Sequence, residues 1–288
     1  MKHTTAIRSP MTSLRVEFAL KWFLLAVTGA SISAHASQLL TEPHGGRNVD
    51  VYVPSTLEPA GSRALVVVLH GGLGNAQRIS TGKFENAMNM NRVADVGGFV
   101  VAYLNGTPVT RFFGDDKLGW NAGKCCGQPV QKNVNDVAYI EATAKAIAAK
   151  YGVEPQRIYG VGHSNGAMMT QRVMCESSLY AAAVPISGPL DMDKPRCPHA
   201  AGKRLMAIHG EDDQNVPLGG GQGTKGISRS NFESQAATAK VWLNAGASYD
   251  LQIIKGADHS VDAIGTQIIQ TEGRTLSQKI ARFFGLIQ

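Results

Sequence analysis

Excess charge, long apolar runs and closely spaced metal-binding pairs are all scarce in this chain of 288 residues, and each scarcity excludes something. Only 17% of the residues are charged, with a formal balance of +6. Lys2, Arg8, Arg15 and Lys21 sit in the first 36 positions against the single acid Glu17, so the other 252 residues carry +3. That is too little charge for a nucleic-acid surface. The N-terminal apolar run Trp22 Phe23 Leu24 Leu25 Ala26 Val27 falls far short of the roughly 20 residues that a spanning helix needs. Cysteines number four, Cys125, Cys126, Cys175 and Cys197, and no second close Cys or His pair supplies the usual zinc spacing. A zinc site is therefore not expected. Nor is there a fixed-period repeat or a long low-complexity linker, so one domain is expected after the N-terminal segment.

That segment reads as an address. Basic residues precede the short apolar run, and small residues follow it to Ala34 His35 Ala36, an Ala-x-Ala cleavage signal. The expectation is an export signal over 1–36, with Met11 as an alternative start and a retained amphipathic anchor as the alternative role. Residues 37–288 are then a secreted domain, periplasmic or extracellular, with no stable membrane anchor after cleavage. An even cysteine count in an exported protein suggests two disulfides. Pairing Cys125 with its neighbour Cys126 would strain the intervening peptide, so each is expected to bond to Cys175 or Cys197.

Short apolar, β-branched runs occur at 49–53, 64–69, 99–103, 158–161, 182–186, 205–208 and 251–254. Helical stretches lie between them, over 84–96, 136–150, 167–175, 231–244 and 276–284. Strands alternating with helices predict an α/β fold with a mostly parallel central sheet and helices on both faces. Asp136 is expected to cap or open its helix, a structural role.

Gly162, His163, Ser164, Asn165 and Gly166 spell Gly-x-Ser-x-Gly between a strand-like and a helix-like run. That is the context of a nucleophile elbow, where a tight turn lifts the serine hydroxyl clear of the sheet. A serine needs a histidine to take its proton and an acid to orient that histidine, and on this kind of fold they follow in the order Ser, acid, His. Of eight histidines only His259 follows the acidic turn Glu211 Asp212 Asp213. Asp213 is favoured as the acid, with Asp212 second. The oxyanion needs main-chain donors: the amide of Asn165, and one from the glycine-rich loop His70 Gly71 Gly72 Leu73 Gly74, where Gly72 or Leu73 is the candidate. His70 and Trp120 are the candidates for substrate contact, Trp120 either flanking the site or packing the cysteine loop.

Several segments together resemble the secreted polyhydroxybutyrate depolymerase-type esterases, grouped with feruloyl and acetylxylan esterases of carbohydrate esterase family 1. They are LHGGLGN from Leu69, GWNAGKCCG from Gly119, NDV from Asn135, GHSNGAMM from Gly162, HGEDDQNVP from His209 and GADH from Gly256. The resemblance implies an α/β-hydrolase fold, a Ser164, Asp213, His259 triad, no metal or organic cofactor, and ester hydrolysis through an acyl-enzyme. It selects Asp213 over Asp212. Such esterases often continue Thr-Trp-Pro-Gly after the histidine, whereas Ser260 Val261 Asp262 Ala263 stand here. With no Thr/Ser-rich linker beyond, short, soluble or oligomeric esters are the expected substrates. Feruloyl or acetylxylan esters are the alternative, and a non-catalytic binding protein on the same fold is the alternative of another class.

Overall fold

The run 64–69 has no polar side chain because both of its faces are covered. In the computed structural model, Leu65, Val67 and Leu69 join one buried cluster, while Ala64, Val66 and Val68 join another on the opposite side of the sheet. Each fully buried aliphatic side chain of this kind contributes roughly 1.5–3 kcal/mol. A strand that reads as continuously apolar is therefore central, and so it is.

The structure describes residues 1–3, 36–82, 88–110, 114–226, 228 and 230–288. The expected export signal over 1–36 thus lies largely outside the described residues, as does the 84–87 part of the helix expected over 84–96. Among the described residues no helix is long and apolar enough to cross a membrane.

The main sheet has eight strands: β1 Gln38–His44, β2 Arg47–Val53, β3 Arg63–Leu69, β4 Val100–Leu104, β5 Val153–His163, β6 Ala182–Ile186, β7 Arg204–Gly210 and β8 Ser248–Ile254. Their order is β1-β2-β4-β3-β5-β6-β7-β8. β2 runs against both of its neighbours, and all pairings from β4 to β8 are parallel. The described helices are α1 Ala76–Ser80, α2 Asn91–Gly97, α3 Gly127–Gln131, α4 Asp136–Tyr151, α5 Asn165–Glu176, α6 Gln235–Asn244, α7 Val261–Glu272 and α8 Leu276–Phe284. Ile140, Ile147, Val173 and Trp242 bring α4, α5 and α6 onto one face of the sheet. Ile79, Val93, Ile264, Ile280 and Phe284 bring α1, α2, α7 and α8 onto the other. This is the α/β-hydrolase architecture.

Several elements differ from the sequence reading: α1 and α3 are additional, α2 begins only at Asn91, and three more differ for a local physical reason. β1 escapes the reading because the strand lies at the sheet edge with five of its seven residues exposed, joined to β2 through Gly45 and Gly46, both at positive φ. The helix expected over 231–244 begins only at Gln235, because Asn231 and Phe232 pair with Gln222 and Gly221 and the Ser234 hydroxyl then accepts from the Ala237 amide as an N-cap. α7 was not expected; Ser260 caps it in the same way and Ile264 and Ile268 anchor it.

Parallel strands turn their carboxyl ends toward one edge, where ligands bind in open α/β sheets. The segments after β3, β5, β7 and β8 all leave that edge, and they carry Gly72, Ser164, Asp213 and His259 respectively.

Candidate active site

Ser164 sits between the last residue of β5 and the first of α5 with φ 54° and ψ −122°. A non-glycine residue at positive φ is costly and is held only where its surroundings over-determine it. Two glycines do so here. A Cβ on Gly162 would strike the Gly166 carbonyl and the Thr170 hydroxyl, and one on Gly166 would strike the carbonyls of Leu69 and His70. The strand-to-helix corner closes only without those two side chains.

The elbow hands its hydroxyl to a relay. Ser164 Oγ is 2.9 Å from His259 Nε2, and His259 Nδ1 is 2.7 Å from Asp213 Oδ2. Facing a carboxylate, Nδ1 carries the proton, which leaves Nε2 free to accept from Ser164. The other Asp213 oxygen, Oδ1, accepts from the amides of Asn215 and Val216, both at 2.9 Å. Burial pushes the Asp213 carboxyl up, but hydrogen bonds from His209 and His259 outweigh it and hold the group well below the usual carboxylate range. The acid is therefore held as the anion.

A second histidine steadies the first. His163 Nε2 donates to the His259 carbonyl at 2.8 Å, and the two rings lie 4.9 Å apart. Burial, reinforced by its neighbour His259, lowers the His163 pKa to about 3, so the ring stays neutral. This residue was missed by the sequence reading, which sorted histidines by chain order alone.

The Asn165 and Gly72 residues both line the cavity beside Ser164, neither backbone amide has an acceptor among the described residues, and a Cβ on Gly72 would lie 3.8 Å from Asn165 Cβ. Leu73 is a correction, because its amide donates to the Leu118 carbonyl at 2.8 Å and has no hydrogen left for an oxyanion. Of the Gly72 and Leu73 alternatives, Gly72 is the open donor.

Neither substrate-contact candidate contacts the cavity, and for Trp120 the alternative is met: the Cys126 amide donates to its carbonyl at 3.3 Å, so it packs the cysteine loop. Trp120 is wholly buried and absent from the walls of the Ser164 cavity; its indole donates to the His70 carbonyl at 3.0 Å, and its amide and carbonyl bind the Asn165 side chain at 2.7 and 3.1 Å. It ties the elbow to the glycine-rich loop. His70 is buried beside it with ring centroids 5.1 Å apart. His70 Nδ1 donates to the Gly71 carbonyl and Nε2 accepts from the Gly106 amide, so neither nitrogen can meet a ligand. Burial brings its pKa down to about 4.

The cysteine pairing is a further correction. Cys175, at the end of α5, bonds to Cys197, their Cα atoms 4.1 Å apart, and Cys125 bonds to Cys126 across a cis peptide. Trp120 and Ala122 hold the Cys125–Cys126 loop through their backbone at the cavity, away from the end of α5, so no cross-pairing forms. Asp136 is buried as expected of a structural acid, accepting from Arg47 at 2.7 Å and from the Asn121 amide at 2.7 Å. Among the described residues no group of three His, Cys, Asp or Glu side chains is arranged to hold a metal ion.

The cavity holds about 470 Å³ and is walled largely by apolar groups, including Leu73, Val109, Met168, Val216 and Phe232, with the Cys125–Cys126 pair on one side. Ser164 and His259 stand in its wall. Val109, Met168, Val216 and Phe232 have the sequence context of ordinary core or loop positions and carry no signal of the cavity, while Leu73 was legible only for its amide.

Sheet order, elbow and relay together define a member of the α/β-hydrolase fold class. Residues 98–198, which include Ser164 and stop short of Asp213 and His259, match the prolyl oligopeptidase family. The chain is 28% identical over 179 residues to feruloyl esterase B of Piromyces equi, covering 61% of this chain and 31% of that protein. It therefore spans about a third of that curated relative. A carboxylesterase from Mesorhizobium loti superposes with a TM-score of 0.54 at 17% identity, covering 83% of this chain and 100% of that one. A truncated carbohydrate esterase from gut microbiota does so with a TM-score of 0.53 at 18% identity, covering 88% and 97%. At such identities the two structures share the fold.

Proposed function

We propose that this chain is an exported serine esterase that hydrolyses carboxylic esters through an acyl-enzyme. The observation that carries the reading is the unbroken relay at 2.9 and 2.7 Å from Ser164 through His259 to Asp213, opening into an apolar cavity. Ser164 Oγ attacks the ester carbonyl as His259 Nε2 takes its proton, and the amides of Gly72 and Asn165 hold the resulting oxyanion. Collapse of the intermediate breaks the bond to the alcohol, which leaves with the proton from His259. Water then repeats the sequence on the acyl-enzyme and frees the acid.

The cavity supports a small or oligomeric acyl group with few charges, and esters of the polyhydroxybutyrate type fit that description. Similarity to a feruloyl esterase favours a second reading, in which aromatic acyl groups on plant cell-wall polysaccharides are released. Product analysis on hydroxybutyrate oligomers, methyl ferulate and acetylated xylan separates the two. A binding protein without chemistry has no use for an aligned relay. Export rests on the segment 1–36 and agrees with the two disulfides, which persist in oxidising compartments. N-terminal sequencing of the mature protein should begin at Ser37.

The decisive test of the activity is Ser164→Ala. Turnover of p-nitrophenyl butyrate should vanish together with labelling by a fluorophosphonate. Turnover near that of the unaltered enzyme, in pure protein, removes the proposal.

A further inference from the structure

Beside Asp213 lies a third histidine that the mechanism does not use, on the same carboxylate oxygen as His259. His209, near the end of β7, has no exposed surface, and its Nε2 is 2.9 Å from the Val216 carbonyl and 3.2 Å from Asp213 Oδ2. Both of those neighbours are acceptors, so Nε2 must carry a proton. In a neutral ring Nδ1 is then an acceptor, and what faces it at 2.8 Å is the side-chain amide of Gln235 at the start of α6. The Gln235 nitrogen must point at the ring, which turns its oxygen outward. That oxygen meets the Tyr249 hydroxyl of β8 at 2.5 Å, and the hydroxyl donates to it. Every group in the row has one hydrogen-bonding role open to it, and each role is met.

We infer that His209 is a positioning residue for the proposed catalytic acid, locked by Gln235 and Tyr249 as the neutral Nε2–H tautomer so that this hydrogen, shared with the Val216 carbonyl, is donated to the same Asp213 oxygen that holds His259. The inference rests on the esterase reading. Its physical content is a row that runs Tyr249, Gln235, His209, Asp213, His259, Ser164, joining α6 and three strands to the nucleophile. With two histidine N–H groups on Oδ2 and two amides on Oδ1, the Asp213 carboxylate cannot rotate, and its charge is shared between both rings. Removing the His209 donor frees the carboxylate to tilt and concentrates its charge on His259.

The consequence for His259 has a sign. A carboxylate no longer shared with His209 stabilises the His259 imidazolium more, so the acid limb of the kcat/KM profile moves to higher pH. The other titratable groups facing this pair are His163 from β5, Asp258 from the loop after β8, and Tyr249 through Gln235. None of them changes in the variants below except where stated.

The test has a part without substitution. In the intact ¹⁵N-labelled protein at pH 8, His209 should read as the Nε2–H tautomer, with a slowly exchanging ring proton; an Nδ1–H tautomer overturns the inference. The second part is kinetic, on p-nitrophenyl butyrate. His209→Leu should lower kcat on the order of 10- to 100-fold with KM little changed, and should raise the pH of the acid limb. His209→Gln, whose amide can still donate to Asp213, should recover most of both. Leu as active as the unaltered enzyme, with the same acid limb, overturns the inference, as does a Gln variant no better than Leu. Should the Leu variant fail to fold, Tyr249→Phe replaces it; it should lower kcat by about 2- to 5-fold with the limb displaced in the same direction, and an unchanged profile counts against the inference. An unaltered enzyme that turns over no ester refutes the esterase reading instead, and the tautomer measurement still decides whether His209 donates to Asp213.

Discussion

Replacing Asp213 with Asn keeps the shape of the side chain and removes half of its accepting capacity. Four donors converge on the carboxylate: the amides of Asn215 and Val216 on Oδ1, and the rings of His259 and His209 on Oδ2, at 2.7 and 3.2 Å. An Asn offers one acceptor and one NH₂. If its oxygen faces the histidines, the NH₂ opposes two backbone amides, each left without a partner at about 1–3 kcal/mol. If its oxygen faces the amides, the NH₂ donates to His259 Nδ1, which must surrender its proton to Nε2. That second orientation costs less, and in it Nε2–H points at Ser164 and cannot take the hydroxyl proton. The expected loss in kcat is about 10⁴-fold, the size seen for the same tautomer error in serine proteases, or about 5.5 kcal/mol of barrier. Steady-state turnover of p-nitrophenyl butyrate at pH 8 measures it, with a thermal melt to show that the variant is folded. A folded Asn variant within tenfold of the unaltered enzyme refutes the assignment of the acid and the tautomer argument together.

Other outcomes follow from the same geometry. Gly166→Ala drives a Cβ into the carbonyls of Leu69 and His70, which are backbone and cannot yield, so stability should fall by about 1–3 kcal/mol and Tm by several degrees in calorimetry. Burial keeps His70 and His163 neutral, with pKa values of about 4 and about 3, while an unfolded histidine titrates near 6.5. Below pH 6.5 the unfolded chain therefore binds protons that the native protein does not, and stability drops as pH falls from 6.5 toward 4; at pH 5 the two groups together remove roughly 4 kcal/mol, read by urea unfolding at pH 8 and pH 5. A flat stability between those values refutes the burial argument. The double change Cys175→Ser with Cys197→Ser opens a closure between residues 22 apart and should cost about 3 kcal/mol in denaturant unfolding while leaving kcat unaltered, since Cys175 lies eleven residues, about 16 Å, along α5 from the nucleophile.

What was legible in the sequence is what local chemistry specifies. The central strands announced themselves as uninterrupted apolar runs because both faces of β3, β4 and β6 are buried. The elbow was legible for a related reason: Gly162 and Gly166 are where a side chain would collide, so the spacing is a record of sterics. β1 was not legible, since an exposed edge strand needs no apolar face. The helix beginning at Gln235 was overextended because 231–234 has no breaker; what stops it is the pairing of Asn231 with Gln222, a partner nine residues upstream that no local pattern announces.

The histidines show where such reading ends and why. Chain order isolated His259, because order is a property of the sequence. Order says nothing of what stands opposite a ring nitrogen, and that alone separates the roles of the others. His70 faces a carbonyl and an amide, and braces a loop. His163 faces the carbonyl of His259, and fixes the loop that carries it. His209 faces a carboxylate on one side and an amide nitrogen on the other, and so is left with a single tautomer. All three imidazoles stand beside a glycine or a serine in the chain, indistinguishable as letters. The vicinal cysteines teach the same lesson from the other side: four thiols admit three pairings, and the choice was made by which elements the sheet order carries to the end of α5 and which it carries to the cavity beside Ser164. Residue types thus bound the chemistry, while the topology of a parallel sheet, by delivering four loops to one edge, decides which of the candidates can take part in it.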